Sequence, residues 1–317
     1  MRKVYLLSDV AGTDPDYWED QWEGMDLVSL LPKITPTSGI LWRLLAGLID
    51  AEHLVLEAGC GSGVVVGYLD GLGRRVVGLD RTTAALGSAK RQVPRLRLTA
   101  GDISRFPFPS ARFDRVVSLG VVEHFEGGAH EPLVEHHRVL KPGGALLITV
   151  PRVGPVKRWN DFLNFNLGGR RAYLSRGRIV AHPDRPSRLA ESATFHQYEY
   201  PRRAFRALLE RAGFRVVWIR AFMVGPGLGE SRLIQRLASR SGHRSAAREE
   251  SAAAPTSSGV PEHTYAAPPP PGGPGIKGYL REAVLHERGR GRSGEALTSL
   301  SQWIFGHMNF ALAVRDG

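Results

Sequence analysis

Glu57-x-Gly59-x-Gly61-x-Gly63 places three glycines at alternate positions behind an acid. Without Cβ atoms such a backbone turns tightly and can approach a ligand closely. An apolar helical stretch, Val64 to Leu72, follows, and a helix start presents free N–H groups. A dinucleotide loop would read GxGxxG, with a pyrophosphate at the helix start. Here the sixth position is Val64 counted from Gly59 and Val66 counted from Gly61. That pattern fails both ways, which leaves a ligand lacking a pyrophosphate or a plain glycine turn. Asp80 ends the run RVVGLD. A carboxylate there can accept from both vicinal hydroxyls of a ribose, or can cap the next helix. Asp102, in Ala100-Gly101-Asp102-Ile103, can accept from an adenine amine while Ile103 packs on the ring. Each acid alone is ordinary. Glu57, Asp80 and Asp102 at three successive strand ends point to a nucleoside-bearing ligand.

The elements that must position these groups follow from the hydrophobic pattern. His53–Ala58, Arg75–Asp80, Leu96–Ala100, Phe113–Leu119 and Ala145–Val150 read as short buried strands. Helices Val64–Leu72, Thr82–Gln92 and Glu131–Leu140 alternate with them. That order predicts an α/β, doubly wound, mostly parallel sheet of Rossmann-like type. In such sheets ligands bind beyond the carboxyl ends of the strands. Pro201–Ala212 is predicted as a helix stopped by Gly213, Phe214–Phe222 as a sixth strand and Asn309–Val314 as an antiparallel seventh. Two further helices are expected at Glu230–Ala238 and Glu295–Phe305. Between them residues 239–275, rich in Ser, Ala, Pro and Gly, read as a disordered insertion. Residues 151–200 look irregular and basic, and 152–200 is expected to be a substrate-region insertion. Asp14–Glu23 reads as a helix with Tyr17, Trp18 and Trp22 on a packing face. The domain expectation is an N-terminal lid or helical segment over 1–40 and one domain over 41–317.

Composition narrows the class. The 317 residues are 42% hydrophobic and 23% charged, ordinary globular usage. One cysteine, Cys60, excludes an intrachain disulfide and a cysteine-based zinc cluster, and suits a reducing cytoplasm. The first ten residues hold neither a signal peptide's apolar core nor a membrane span. The net charge is +11, but it is unevenly spread. Residues 1–150 carry 16 basic and 18 acidic side chains, leaving 26 basic and 13 acidic beyond them. Arg158, Arg170 and Arg171 lie near Trp159, Phe162 and Phe165, which keeps nucleic-acid binding open.

LEAGCGSG (Leu56–Gly63), VVGLD (Val76–Asp80), AGDISRFPFPSARFDRVVSLGVVEHF (Ala100–Phe125) and HRVLKPGGALLITVP (His137–Pro151) together resemble the class I S-adenosylmethionine-dependent methyltransferases. FHQYEYPRRAFRALLERAGFRVV (Phe195–Val217) and FGHMNFALAVRDG (Phe305–Gly317) are similar to later parts of small-molecule members. The resemblance implies S-adenosylmethionine as cofactor. It implies that Gly59, Cys60, Gly61 and Gly63 line the methionine part and that Glu57 organises the loop and the ligand's amino group. Asp80 and its neighbour Arg81 would border the ribose, Asp102 and Ile103 the adenine, and Ser118, Leu119 and Gly120 the cofactor and acceptor. Cys60 reads as a space-filling residue, and the 1–40 segment as a lid over the cofactor.

His124, in Val122-Glu123-His124, and His196 are the candidate catalytic bases. The Glu-His pair resembles quinone-biosynthesis O-methyltransferases, some of which add a Glu three residues earlier and hold a divalent metal. Gly120 stands there, so no metal is expected. His136 and His137 are expected at the solvent or core edge. The Asn/Asp-Pro-Pro-aromatic motif of base-methylating enzymes is replaced by Ser118-Leu119-Gly120-Val121. The expected activity is methyl transfer to a small molecule, at a hydroxyl oxygen. The alternatives are an RNA or protein methyltransferase using the basic segment 152–188, and a non-catalytic cofactor-binding scaffold that interacts through 239–275.

Overall fold

The computed structural model describes residues 1–6, 18–19, 22, 24–35, 40–175, 178–182, 187–191, 193–222 and 308–317. The expected insertion 239–275 and helices Glu230–Ala238 and Glu295–Phe305 lie outside them. The chain opens with β1 (Arg2–Leu6), followed by the short helix α1 (Leu27–Leu30) and by α2 (Ile40–Leu48). Asp26 caps α1 by accepting from the Ser29 amide at 3.0 Å. Next come β2 (Leu54–Ala58), α3 (Val64–Gly71), β3 (Arg75–Asp80), α4 (Thr83–Gln92), β4 (Leu98–Ala100), β5 (Phe113–Leu119), α5 (His130–Val139) and β6 (Leu140–Pro151). The central stretches of β2, β3, β5 and β6 are mainly apolar because both faces of the sheet are covered, with the charged residues mostly near the strand ends. The predicted strand–helix alternation holds through this half, with most boundaries moved by a residue or two; β6 begins five residues earlier than the expected Ala145.

Then follow α6 (Pro155–Asp161), β7 (Ala172–Ser175), β8 (Arg178–Ala181), α7 (Arg188–Glu191), β9 (Thr194–Glu199), α8 (Arg202–Arg211), β10 (Phe214–Phe222) and β11 (Met308–Arg315). The main sheet has seven strands in the order β10-β11-β6-β5-β2-β3-β4. Pairs from β6 to β4 are parallel, and β11 runs antiparallel to both β6 and β10. The expected doubly wound sheet with an antiparallel last strand is thus the observed one.

One sheet face packs on α5 and α8 through Leu133, Val139, Phe205, Leu208 and Leu209. The other packs on α2, α3 and α4 through Leu45, Leu48, Val66, Leu69 and Leu86. At roughly 25 cal/mol per Å² of apolar surface removed from water, these two layers are the main source of stability.

Two expectations are corrected. Residues 151–200 are not irregular, and 1–40 is not helical throughout. Arg2–Leu6 pairs antiparallel with both β8 and β9, and β7 with β8, giving a second four-stranded sheet in the order β7-β8-β1-β9. Its strands come from the first residues and from the middle of the chain, and β1 is only five residues long. No local pattern marks such long-range pairing. Charge sets the register: Arg2 stands opposite Glu199 and bonds to it at 3.1 Å, while Lys157 reaches the same carboxylate at 2.9 Å. Burial would raise the Glu199 carboxyl, but Lys157 and Arg2 outweigh it and hold it below the usual range.

Candidate active site

The glycine turn lies where β2 hands over to α3. Gly59, Gly61 and Gly63 all take positive φ, +77°, +49° and +78°, the left-handed region that side chains resist. Space forbids side chains as well. A Cβ on Gly59 would come 2.5 Å from Val121, and one on Gly61 would come 2.5 Å from the Trp22 indole. Asp80 clamps the turn: one carboxylate oxygen accepts from the Gly61 amide at 2.7 Å and the other from Thr82 at 2.9 Å. Thr82, not Asp80, is the N-cap of α4.

Glu57 is buried beneath the same turn. It accepts from the Val66 amide at the start of α3, and burial, with help from Asp80, pushes its carboxyl well above the usual range. Its second oxygen has no hydrogen-bond partner among the described residues. Cys60 is buried with its Sγ against Gly78. Burial, then Glu57 and Asp80, raises its thiol pKa, so it stays a protonated space-filler. Arg81 is exposed beside Asp80.

Asp80 and Ala100 are register partners on β3 and β4, which sets Asp102 on the adjacent strand end. Asp102 is exposed. Its Oδ1 accepts from the amide and hydroxyl of Ser104, both at 2.8 Å. Ile103 turns into the core with 5% exposure, so little of it is left to face a ligand. The three acids do converge on one rim of the sheet.

β5 supplies the neighbouring wall. Ser118 is fully buried and its hydroxyl has no hydrogen-bond partner among the described residues. Leu119 is half-buried. Gly120 turns with φ +73° and donates to Thr149 O at 3.2 Å. The tight turn Val122–His124 follows. His124 Nδ1 lies 2.7 Å from the His196 carbonyl. A carbonyl only accepts, so Nδ1 carries the proton and Nε2 keeps a lone pair. The two imidazoles meet edge to face at 5.1 Å, and Trp18 packs on His124 at 4.7 Å. Burial drives His124 down to about 4 and His196 down to about 3. Both are neutral at pH 7.

The sequence-predicted residues thus fall into two adjoining groups, Glu57 to Ile103 and Ser118 to His196. His136 departs from expectation. It is fully buried, with Nδ1 bonding to Pro132 O at 2.6 Å and its ring against Phe106, and burial lowers it to about 4. Two residues were not singled out. Glu123 is 1% exposed and Tyr200 2%; one Glu123 carboxyl oxygen and the Tyr200 hydroxyl have no hydrogen-bond partner among the described residues. The only signals were adjacency to His124 and a place in FHQYEY. Among the described residues no three His, Cys, Asp or Glu side chains are grouped to hold a metal. Nor is any helix among them long and apolar enough to cross a membrane.

The strand order and the acid-rimmed glycine turn define a methyltransferase-type α/β domain. Comparison with known proteins agrees: residues 56–148 match the methyltransferase domain family. A Mycolicibacterium smegmatis protein described as an S-adenosylmethionine-dependent methyltransferase is 32% identical over 176 residues, 56% of this chain and 57% of that protein. A methyltransferase of Synechocystis is 40% identical over 97 residues, 30% of this chain and 46% of the relative. The malonyl-[acyl-carrier protein] O-methyltransferase of Enterobacter lignolyticus is 36% identical over 95 residues, 30% of this chain and 38% of its own length. The chain therefore spans about half the length of the curated relatives it matches. Among solved structures, a chain from the complex of the Haloferax volcanii Trm112 methyltransferase activator with a protein described as a methyltransferase superposes with TM-score 0.51 at 13% identity. The match covers 95% of this chain and 98% of that one, a likeness of fold. Residues 56–148 therefore form a methyltransferase domain of the S-adenosylmethionine-dependent kind, with S-adenosylmethionine as its cofactor.

Proposed function

We propose that this protein transfers a methyl group from S-adenosylmethionine to a hydroxyl oxygen of a small molecule. The observation that carries the reading is the convergence of Glu57, Asp80 and Asp102 on adjacent strand ends around a turn with no room for a Cβ at Gly59 or Gly61. When bound, the cofactor supplies a methyl group activated by a sulfonium charge. The buried free oxygen of Glu57 suits the ligand's ammonium group, which would hold that carboxyl in its ionised form. Asp80, fixed by Gly61 and Thr82, keeps lone pairs for the ribose hydroxyls. Asp102 Oδ2 is left for the adenine amine, with Ile103 beneath. Gly59, Cys60, Gly61 and Gly63 line the methionine part, Arg81 the ribose edge, and Ser118, Leu119 and Gly120 the boundary with the acceptor. Trp18 and Trp22, lying on His124 and Gly61, support the reading of the N-terminal segment as a lid.

Methyl transfer needs chiefly alignment of nucleophile, carbon and sulfur, and a base where the acceptor loses a proton. His124, with Nε2 unprotonated, and His196 stand on the acceptor side. The O-methyltransferase name of the Enterobacter lignolyticus relative supports oxygen as the acceptor atom. Calorimetry with S-adenosylmethionine and S-adenosylhomocysteine tests the cofactor. Mass spectrometry after incubating the protein and trideuteromethyl cofactor with a small-molecule extract tests transfer. A folded protein that binds neither compound defeats the proposal. His196→Ala should lower turnover and leave cofactor affinity alone; full activity would make His196 structural.

One observation favours a second reading, RNA as substrate. Trp159 and Phe162 are exposed and stacked at 5.7 Å, with exposed Arg158, Arg170 and Arg171 close in sequence. Such a surface would give RNA binding that weakens steeply with salt.

A further inference from the structure

The wall beside His124 contains polar atoms that folding has buried and left unused. Glu123 keeps one carboxylate oxygen, and Tyr200 its hydroxyl, without a hydrogen-bond partner among the described residues. A buried polar atom left without a partner is costly, so two in one region need a reason. The strand that leads into Tyr200, β9, packs on the turn that carries Glu123, and the Tyr200 hydroxyl is raised first by burial and next by the Glu123 carboxyl. Both positions are held rigidly. The Tyr200 backbone donates to Pro151 O at 2.9 Å, accepts from Val153 at 3.1 Å and accepts from the Asn309 side chain at 2.9 Å. Glu123 sits in the tight turn after β5, where Val121 packs on Gly59 of the glycine turn. Gly120 leaves open the space in front of it: a Cβ there would lie 3.6 Å from Glu123 Oε1. The buried Ser118 hydroxyl and Asn309 amide oxygen are also unpartnered among the described residues, and Asn309 is tied to Tyr200 through its side-chain amide.

We propose that Glu123 and Tyr200 form a buried subsite for the acceptor's hydroxyl group, with the Glu123 carboxylate taking its proton as the methyl group arrives. This rests on the proposed methyl transfer to oxygen. In the step, the acceptor oxygen forms a bond to the methyl carbon as the sulfur–methyl bond breaks. The bonding pair stays on sulfur, and the hydroxyl proton moves to Glu123 and later to solvent. Tyr200 donates its hydroxyl hydrogen to the acceptor oxygen and orients it. Glu123 suits the task better than His124: burial lifts its carboxyl to about 8, while His124 falls to about 4. A base is most effective with a pKa near the working pH.

The elements packed on the turn are β6 and β9. Of their ionisable groups, Tyr200 just past β9 feels the Glu123 charge, and His196 meets His124. Tyr198 is turned to Glu126 O at 2.8 Å, and Glu199 is engaged by Arg2 and Lys157. No cation offsets the burial of Glu123 among the causes of its shift.

The test uses the full chain with S-adenosylhomocysteine bound, and phenol and toluene as probes that differ by one hydroxyl. The wild type should bind phenol at least tenfold more tightly than toluene. Glu123→Gln and Tyr200→Phe should lose that preference while S-adenosylmethionine affinity stays within about threefold. With the acceptor found in the small-molecule extract, turnover should rise with pH to a half-maximum near 8. Glu123→Gln should cut it by about 100-fold or more and remove the rise; Glu123→Asp should restore part of both. Equal phenol and toluene binding by the wild type overturns the assignment. So does a Glu123→Gln variant with wild-type turnover and pH profile. A phenol preference that depends on Glu123 and Tyr200, with no methylated product, supports the subsite and defeats the proposed activity.

Discussion

The glycine turn and the wall opposite it are built in contrasting ways. On the glycine side, Asp80 spends both carboxylate oxygens on the Gly61 and Thr82 amides, and the three glycines follow one another in five residues. On the wall after β5, Ser118, Glu123, Tyr200 and Asn309 are buried, and each keeps a polar atom without a hydrogen-bond partner among the described residues. The first region is largely organised before any ligand arrives, with one Glu57 oxygen left over among the described residues. The second holds unmet polar capacity that a ligand can satisfy. His124 and His196 belong to the second, and His136 is a buried residue of α5; all three are depressed by burial, to about 4, 3 and 4.

That asymmetry predicts where acid strikes, and this is the largest effect expected. A histidine whose folded pKa lies below its unfolded value adds stability that is complete above about 6.5. That stability is lost as pH falls through the folded value. Between pH 7 and pH 5, His124 and His136 should each cost roughly 2 kcal/mol, a substantial part of a typical domain's stability. Urea titrations at pH 7 and pH 5 measure the sum. His136→Gln should flatten the difference by about its own share, and an unchanged difference would show that this imidazole is not the acid-sensitive group.

Next in size is Gly59→Val. A branched side chain at φ +77°, pressed on Val121, should distort the turn and weaken S-adenosylmethionine by more than about 100-fold, roughly 3 kcal/mol. Calorimetry reads it. Wild-type affinity would mean that the turn does not line the ligand.

Asp80→Ala follows. Losing a charged acceptor of ribose hydroxyls should cost about 1.5–3 kcal/mol of cofactor affinity, roughly 10- to 150-fold. Because Asp80 also clamps Gly61, Asp80→Asn separates the two roles. It can still accept from the Gly61 amide but has one acceptor fewer for the ribose. Equal affinity for wild type and both variants would remove Asp80 from the site.

The same asymmetry explains what could be read beforehand. The glycine side was legible because its groups lie at the ends of consecutive strands, where alternation, glycine spacing and terminal acids are local signals. The seven strands of the main sheet were legible for the same reason, each being an apolar run between turn residues. The second sheet was not: β1 pairs with strands more than 170 residues away, and Arg2 carries no sign of Glu199. His136 looked like one charged residue among HEPLVEHHRV. Its burial depends on packing against Phe106 from a distant loop. Glu123 was visible as a letter beside His124. What it lacks, a partner and solvent, exists only in the folded chain.

The smallest effect concerns the outer edge of the acceptor region. Trp159 is 64% exposed and Phe162 42%, and Leu163 and Leu167 lie open on the same stretch. Large apolar side chains in water contribute almost nothing to folding, and surface substitutions away from special features stay within about 0.5 kcal/mol. The double substitution Trp159→Ala with Phe162→Ala should therefore leave the urea midpoint and cofactor affinity unchanged. The inward side of the same helix behaves differently. Lys157 meets the buried Glu199 at 2.9 Å, and Asp161 lies 3.5 Å from Arg2. Removing one partner of such a buried pair costs several kcal/mol, so Lys157→Ala should unfold the chain at lower urea. If the aromatic pair proves as costly to remove as Lys157, that face is covered in the folded protein and its stacking serves the core. If stability holds while RNA binding or turnover falls, the exposed rings act on what the enzyme meets.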